Sequence, residues 1–227
     1  MKHQVLHKVW KYSFIGMILL FCVLMFLISL PYFAMDKHAP IQFLRTKLNV
    51  YHIDLWRIGF YTHVFTSVLI LFAGATQFSS TLLRKRKSFH KSMGYIYVVV
   101  LLFFSGPGAF VMGMYANGGP PARASFMLLT PLWLTFTAMA WYYIFKRDFL
   151  AHGEFMFRSY ALTFSAVTLR LYQFFYNELR GTALDPEWKP VETYIILSWL
   201  SWVPNMILAE ILIRKGIIRR LLKRSAE

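Results

Sequence analysis

Residues 13–35 read SFIGMILLFCVLMFLISLPYFAM, with no charged side chain until Asp36. A bilayer core about 30 Å thick needs roughly 20 helical residues to cross it. Stretches of similar length follow at Ile58–Leu83, Met93–Ala122, Ala124–Phe145, Phe155–Phe175 and Tyr194–Ile213. Only the last two hold charge, at Arg158, Arg170 and Glu210. The pattern predicts an all-α, polytopic integral membrane protein. Six transmembrane helices are expected, at about 12–35, 57–83, 91–115, 123–145, 153–176 and 192–213, forming one membrane domain over residues 1–227.

The composition agrees. The 227 residues are 57% hydrophobic and 19% aromatic but only 15% charged, outside the soluble range. Six spans and their loops leave no room for a soluble domain. Cys22 is the single cysteine, which excludes an internal disulfide, a cysteine-built zinc site and an iron–sulfur cluster.

A net charge of +15 suggests nucleic acid until it is mapped. The N-terminus, the Arg84–Lys91 loop, the Lys146–Arg158 loop and the tail after Ile213 hold 17 of the 25 Lys and Arg residues. These four segments alternate with three poorer in cations, and positive loops stay on the cytoplasmic side. Both termini are therefore expected in the cytoplasm, in a multi-pass protein of the bacterial inner (plasma) membrane. The expected partner of the basic excess is the lipid bilayer, with no nucleic acid. Lys2, Lys8 and Lys11 precede the first run as in a signal peptide, but Tyr32-Phe33-Ala34-Met35 is not a small-x-small cleavage site. An uncleaved first helix is the expectation.

Helical periodicity sorts the polar residues by face. On helix 5, His152, Ser159, Thr163, Ala166 and Arg170 follow one line, and Asn177 continues it. Helix 2 aligns His63, Ser67, Gly74 and Gln77; helix 3 aligns His90, Gly94, Tyr97 and Gly108; helix 6 offers Ser198, Ser201 and Asn205. Small and hydroxylated residues on such faces are read as helix packing. Arg170 differs, because a guanidinium inside a span needs a partner or a purpose. Helices 2, 3, 5 and 6 are expected to form a polar-cored bundle, with helices 1 and 4 peripheral. Gly106-Pro107-Gly108 and Pro131 are expected kinks.

Depth then divides the candidates. His63 and Arg170 fall near the outer face; His90, His152, Arg158 and Glu210 fall near the inner one. Arg158 and Glu210 are expected to pair between helices. Two neutral imidazoles at equal depth on separate helices suit axial ligation of a b-type haem, making His90 and His152 candidate haem-iron ligands. They suit a metal ion or a quinone headgroup equally. His3, His7, His38 and His52 read as solvated terminal or loop residues. The six spans contain no His-x-x-x-His or Glu-x-x-x-His pair, and the chain has neither Gly-x-Ser-x-Gly nor a phosphate loop. That argues against a membrane hydroxylase, a hydrolase and an ATPase; whether the protein is an enzyme stays open.

The chain also resembles an uncharacterised bacterial family of multi-helix membrane proteins, catalogued as a domain of unknown function. The resemblance rests on His63, on Phe89-His90-Lys91-Ser92-Met93-Gly94-Tyr95-Ile96-Tyr97, and on the run from His152-Gly153-Glu154-Phe155-Met156 through Arg158-Ser159-Tyr160-Ala161-Leu162-Thr163-Phe164 to Arg170. Trp202-Val203-Pro204-Asn205 and Glu210 complete it, so it covers about 58–210. Phe155 stands where that family typically has Trp. The resemblance groups His63, His90, His152, Arg158, Arg170, Asn205 and Glu210 as a cofactor-binding set and names no reaction.

Three functions compete on these readings. The first is a haem- or quinone-linked transmembrane electron carrier with His90 and His152 as inner-side ligands. In it, Arg158 and Arg170 offset propionate or headgroup charge, His63 serves an outer site, and a redox partner is implied. The second is a small-solute or proton-coupled transporter using the helix 5 polar face, against which the lack of an inverted repeat weighs. The third is a non-catalytic membrane subunit or assembly factor with a membrane-protein partner.

Overall fold

The computed structural model describes residues 2–32, 42–180 and 190–226, with side chains over 16–32, 43–178 and 191–225. Among the described residues every regular element is helical. Helix α1 (Lys2–Ser29) ends in a tight turn at Leu30–Tyr32, where Pro31 has no N–H to continue the ladder. A short α2 (Gln42–Arg45) and a run of turns lead into α3 (Asp54–Thr76). Helix α4 (Ser80–Lys85) follows, its first turn capped by Ser79, whose Oγ accepts from the Leu82 N–H at 3.3 Å.

Helix α5 (Lys87–Val100) widens into a π turn at Leu101–Ser105 and resumes as α6 (Gly106–Met114). Proline at 107 has no N–H for the Phe103 carbonyl and crowds it, so the backbone widens one turn earlier. The Gly106 N–H accordingly reaches back to the Leu101 carbonyl. The expected irregularity at Gly106-Pro107-Gly108 is real, and it is a bulge within one rod. Helix α7 (Gly119–Phe145) starts after Gly118 in the left-handed region and runs unbroken through Pro131.

The fifth expected helix is two: α8 (Phe149–Thr163), capped by Asp148, and α9 (Ser165–Arg180) after an interruption at Phe164. The sixth is also two, α10 (Pro190–Leu200) and α11 (Val203–Arg214), separated at Ser201-Trp202 just before Pro204. Gly216, at φ 73°, reverses the chain into α12 (Ile217–Ala226).

Among the described residues four stretches of helix are long and apolar enough to cross a bilayer: Asp54–Thr76, Lys87–Met114, Gly119–Phe145 and Val191–Arg214. The described apolar part of α1, Gly16–Tyr32, is shorter, and the α8–α9 pair is interrupted at Phe164. Helix α1 packs on α3 and leaves Leu19, Leu20, Val23, Phe26 and Leu27 exposed, as a lipid-facing edge requires. The parallel expectation for helix 4 is wrong. Helix α7 packs along α8, α6 and α10, and its Leu129, Trp133 and Ala140 join Ile70, Tyr97, Leu101, Met156 and Leu162 in the main core. Its inward face is built from Ala122, Ser125, Leu129, Thr130, Trp133, Thr137 and Ala140, with no histidine.

The bundle has two chemically distinct ends. Tyr32 meets Phe60 while Cys22 packs with Leu71, so α1 and α3 run antiparallel. One end is aromatic: Trp56 stacks on Phe60 at 5.1 Å, with Phe43, Tyr51 and Tyr61 around them. There Lys47, only 4% exposed, donates to the Tyr115 carbonyl. Its burial, reinforced by repulsion from Arg123, pushes the ammonium pKa down to about 8. The other end is basic, built from α4, the start of α5, the α7–α8 turn and α12. His52 is exposed in a turn, as expected. His3 and His7 are terminal, as expected, but α1 extends back to Lys2 and carries both, so a His-x-x-x-His spacing does lie on a helix; His38 lies outside the described residues.

Candidate functional site

At the centre, the Tyr97 hydroxyl sits between Ser159 Oγ at 2.7 Å and Thr163 Oγ1 at 2.8 Å. Trp133 Nε1 donates to Thr163 Oγ1 at 3.0 Å, and Thr137 Oγ1 lies 2.7 Å from Ser159 Oγ. Thr137 also donates to the Trp133 carbonyl, and Thr163 to that of Ser159. Four hydroxyls and one indole carry five hydrogens between them, one fewer than these six contacts. With Thr137, Thr163 and Trp133 committed as donors, Tyr97 donates to Thr163. The Ser159 hydrogen then chooses between Tyr97 Oη and Thr137 Oγ1. The helix 5 hydroxyls are thus a mutual, buried joint between α5, α7 and α8, in line with a packing role.

Toward the aromatic end the column continues through His63. Its Nδ1 lies 3.0 Å from both the carbonyl and the hydroxyl of Ser105, and its ring meets Trp133 edge-on at 6.5 Å. A carbonyl only accepts, so Nδ1 carries the hydrogen and neutral His63 offers its lone pair at Nε2. Ser105 closes the π turn, which turns a backbone bulge into a histidine anchor. Close approach makes this possible: a Cβ on Gly108 would stand 3.2 Å from that of His63. Arg170 lies within electrostatic reach of His63, Tyr32 and Tyr194. Among the described residues Arg170 donates to the Ala166 carbonyl at 3.3 Å, and no carboxylate pairs with it.

Toward the basic end, His152 Nδ1 bonds the Ala140 carbonyl at 2.9 Å, so its Nε2 is also the free nitrogen. His90 stands within electrostatic reach of it, and His90 Nδ1 is buried without a partner. Gln77 braces the pair, its amide donating to the His90 carbonyl at 3.3 Å and to Thr76 Oγ1 at 3.1 Å. An imidazole pinned through Nδ1 with Nε2 free is how proteins hold a metal-ligating histidine. The orphaned nitrogen of His90 is a second unfilled valence beside it. Among the described residues no group of three or more His, Cys, Asp or Glu side chains forms a conventional metal cluster.

The remaining candidates have structural partners. Arg158 forks onto Glu210, Nε to Oε1 at 2.6 Å and Nη2 to Oε2 at 3.1 Å, joining α8 to α11 as expected. Its guanidinium also lies over Phe155 at 5.1 Å, and that ring stacks on Tyr143 at 5.4 Å. The position at which the resemblance departs is therefore a stacking position that phenylalanine fills. Asn205 donates to Thr168 Oγ1 at 2.9 Å and to the Ala161 carbonyl at 3.4 Å, bridging the interruption at Phe164. Arg158 thus commits two of its five N–H groups to Glu210, and Asn205 uses its amide hydrogens within the bundle.

The structure thus places His63 and Arg170 toward the aromatic end, His90 and His152 toward the basic end, and Arg158, Asn205 and Glu210 in contacts between helices. Over residues 60–213 the chain matches the family described as predicted membrane protein, DUF2306. The chain belongs to that family. No curated protein and no solved structure matches the chain. This DUF2306 member is therefore a membrane protein whose family carries no assigned reaction, and its chemistry rests on its own residues. Sequence reading did not single out Ser105, Trp133 or Thr137. Trp133 and Thr137 are spaced i, i+4 on α7, the one signal available, and Ser105 adjoins the Gly-Pro-Gly bulge.

Proposed function

We propose that this protein is a haem- or quinone-linked transmembrane electron carrier of the bacterial inner membrane, with His90 and His152 as its ligand pair. It crosses six times, α1 and the interrupted α8–α9 pair joining the four long spans, and both termini lie in the cytoplasm. The single observation that carries the reading is the imidazole pair: His152 pinned through Nδ1 beside a His90 nitrogen buried without a partner. Supporting it, the hydroxyl joint lies on the same helices, α5 and α8, as His90 and His152, and its Trp133 ring meets His63 edge-on.

A bound haem would supply one-electron chemistry, and a quinone would couple two electrons to two protons. The chain's own part is to hold the imidazoles at fixed tautomers, exclude water from the joint and offer Ser159 as a hydroxyl with two alternative acceptors. Arg158, forked onto Glu210, and Arg170 are the cations that would offset propionate or headgroup charge.

The test is an oxidised and dithionite-reduced visible spectrum of the detergent-purified protein, with quinone extraction from the same sample. Sharp reduced α and β bands, lost in His152→Ala and kept in His52→Ala, are the expected haem result. A featureless spectrum with co-purified quinone lost in His152→Ala selects the quinone. Neither cofactor, in protein from haem-replete cells, overturns the carrier.

One observation favours a second reading, transport of an anionic solute: Arg170 lacks a carboxylate partner among the described residues. Proteoliposome uptake that is lost in Arg170→Ala and survives in His152→Ala would select it.

A further inference from the structure

Helix α12 does not extend the sixth span. It turns back at Gly216 and lies against α4 and the start of α8. Its apolar positions Ile218, Leu221 and Leu222 share one face, and Ile218 is 3% exposed. That side chain seats on Gly153, where an added Cβ would come within 2.6 Å of Ile218 Cγ2. The other face carries Arg219, Arg220, Lys223 and Arg224, all exposed.

Packing α12 against α4 sets these four beside Arg84, Lys85, Arg86 and Lys87, also exposed. Neither α4 nor α12 contains an acidic residue, and both described salt bridges lie elsewhere. Eight cations brought together outnumber the acidic residues at this end, Asp148 and Glu154, and their mutual repulsion is only partly relieved by screening in water. Two sequence-distant segments fold to create that concentration, which the charge count of either alone does not require. The spans begin beside it, so it stands at headgroup level.

We propose that α4 and α12 form a composite docking platform for the phosphate headgroups of anionic lipids. Charge complementarity selects the occupant. The platform is single-signed, it lies where phosphodiesters are densest, and its apolar face is already satisfied by the protein. The lipid therefore binds through its headgroup while its acyl chains run down the lipid-facing bundle. Because Ile218 rests on the residue next to His152, headgroup binding also holds α12 against the histidine level. The proposal stands independently of what that level binds.

The test uses full-length protein in nanodiscs with spin-labelled phosphatidylglycerol or phosphatidylcholine, reading the motionally restricted lipid fraction. With two cations meeting each phosphate, the wild type is expected to prefer phosphatidylglycerol on the order of tenfold. R219Q/R220Q/K223Q/R224Q and, separately, R84Q/K85Q/R86Q/K87Q should each bring the preference close to parity. Both keep the apolar face of α12, so either serves if the other fails to fold. Arg123→Gln, at the aromatic end, should leave the preference unchanged. Parity in the wild type, or a preference that survives both quadruple variants, overturns the platform. Displacement of the labelled lipid by millimolar inorganic phosphate overturns the lipid as occupant and leaves a free-anion site.

Discussion

Replacing Thr163 with valine is nearly isosteric, and replacing Tyr97 with phenylalanine is equally conservative, yet the joint responds to them differently. Without the Thr163 hydroxyl, the buried Trp133 Nε1–H loses its 3.0 Å acceptor and falls back on the Tyr97 hydroxyl, which leaves it partly orphaned. A poorly satisfied buried donor costs up to about 1–3 kcal/mol, and interhelical hydrogen bonds in membranes average about 0.6 kcal/mol. Thr163→Val, which removes three contacts, should therefore destabilise by about 2–3 kcal/mol.

Tyr97→Phe removes two contacts but leaves no orphan. Thr163 keeps the indole N–H and still donates to the Ser159 carbonyl, while Ser159 turns its hydrogen to Thr137. Its cost is about 1 kcal/mol, the sum of two average bonds. Reversible unfolding in mixed dodecylmaltoside and SDS micelles, followed by far-UV circular dichroism, measures both. Trp133→Phe added to Thr163→Val should cost less than the separate effects imply, because the orphan has been removed. A Tyr97→Phe cost equal to or above that of Thr163→Val refutes the hydrogen count and with it the assigned donor directions.

Three further outcomes follow from other parts of the fold. The Lys47 pKa falls from 10.5 to about 8 on folding, so between those values the unfolded chain holds a proton that the folded chain has released. Stability should rise with pH across that window, by on the order of 3 kcal/mol in all, and Lys47→Met should flatten the rise in pH-dependent unfolding. Glu210→Ala breaks the fork to Arg158, but with 37% of the Glu210 side chain accessible the loss should be about 1 kcal/mol, well below that of a fully buried pair; micelle unfolding checks it. Gly153→Ala should lift α12 from its seat and speed tryptic cleavage at Arg219 and Arg220 several-fold, and an unchanged cleavage rate would place α12 elsewhere.

The Arg158–Glu210 pair was legible because two opposite charges within spans at similar depth have few other ways to be satisfied. The similar depth of His90 and His152 was legible too, because both begin helices at the basic end. The joint around Tyr97 was not, because threonine, serine and tryptophan on an apolar helix look like ordinary packing until their partners are known. The two interrupted helices were equally hidden. Nothing local at Phe164 forbids a helix, and Asn205, far along the chain, bridges the carbonyl and hydroxyl on either side of it.

By itself the sequence determined that this is a helical membrane protein and which helix faces are polar. Hydrocarbon forces backbone groups to pair within each segment, so length, apolarity and local period suffice. The tertiary structure alone decided which faces meet. It moved α7 from the rim to the core, committed Arg158 and Asn205 to structural partners, and left His90, His152 and Arg170 with capacity to spare. It also folded α12 back onto α4. These outcomes depend on interhelical distances of a few ångströms, set by how glycine, serine and threonine let particular backbones approach, and no single helix encodes its neighbour.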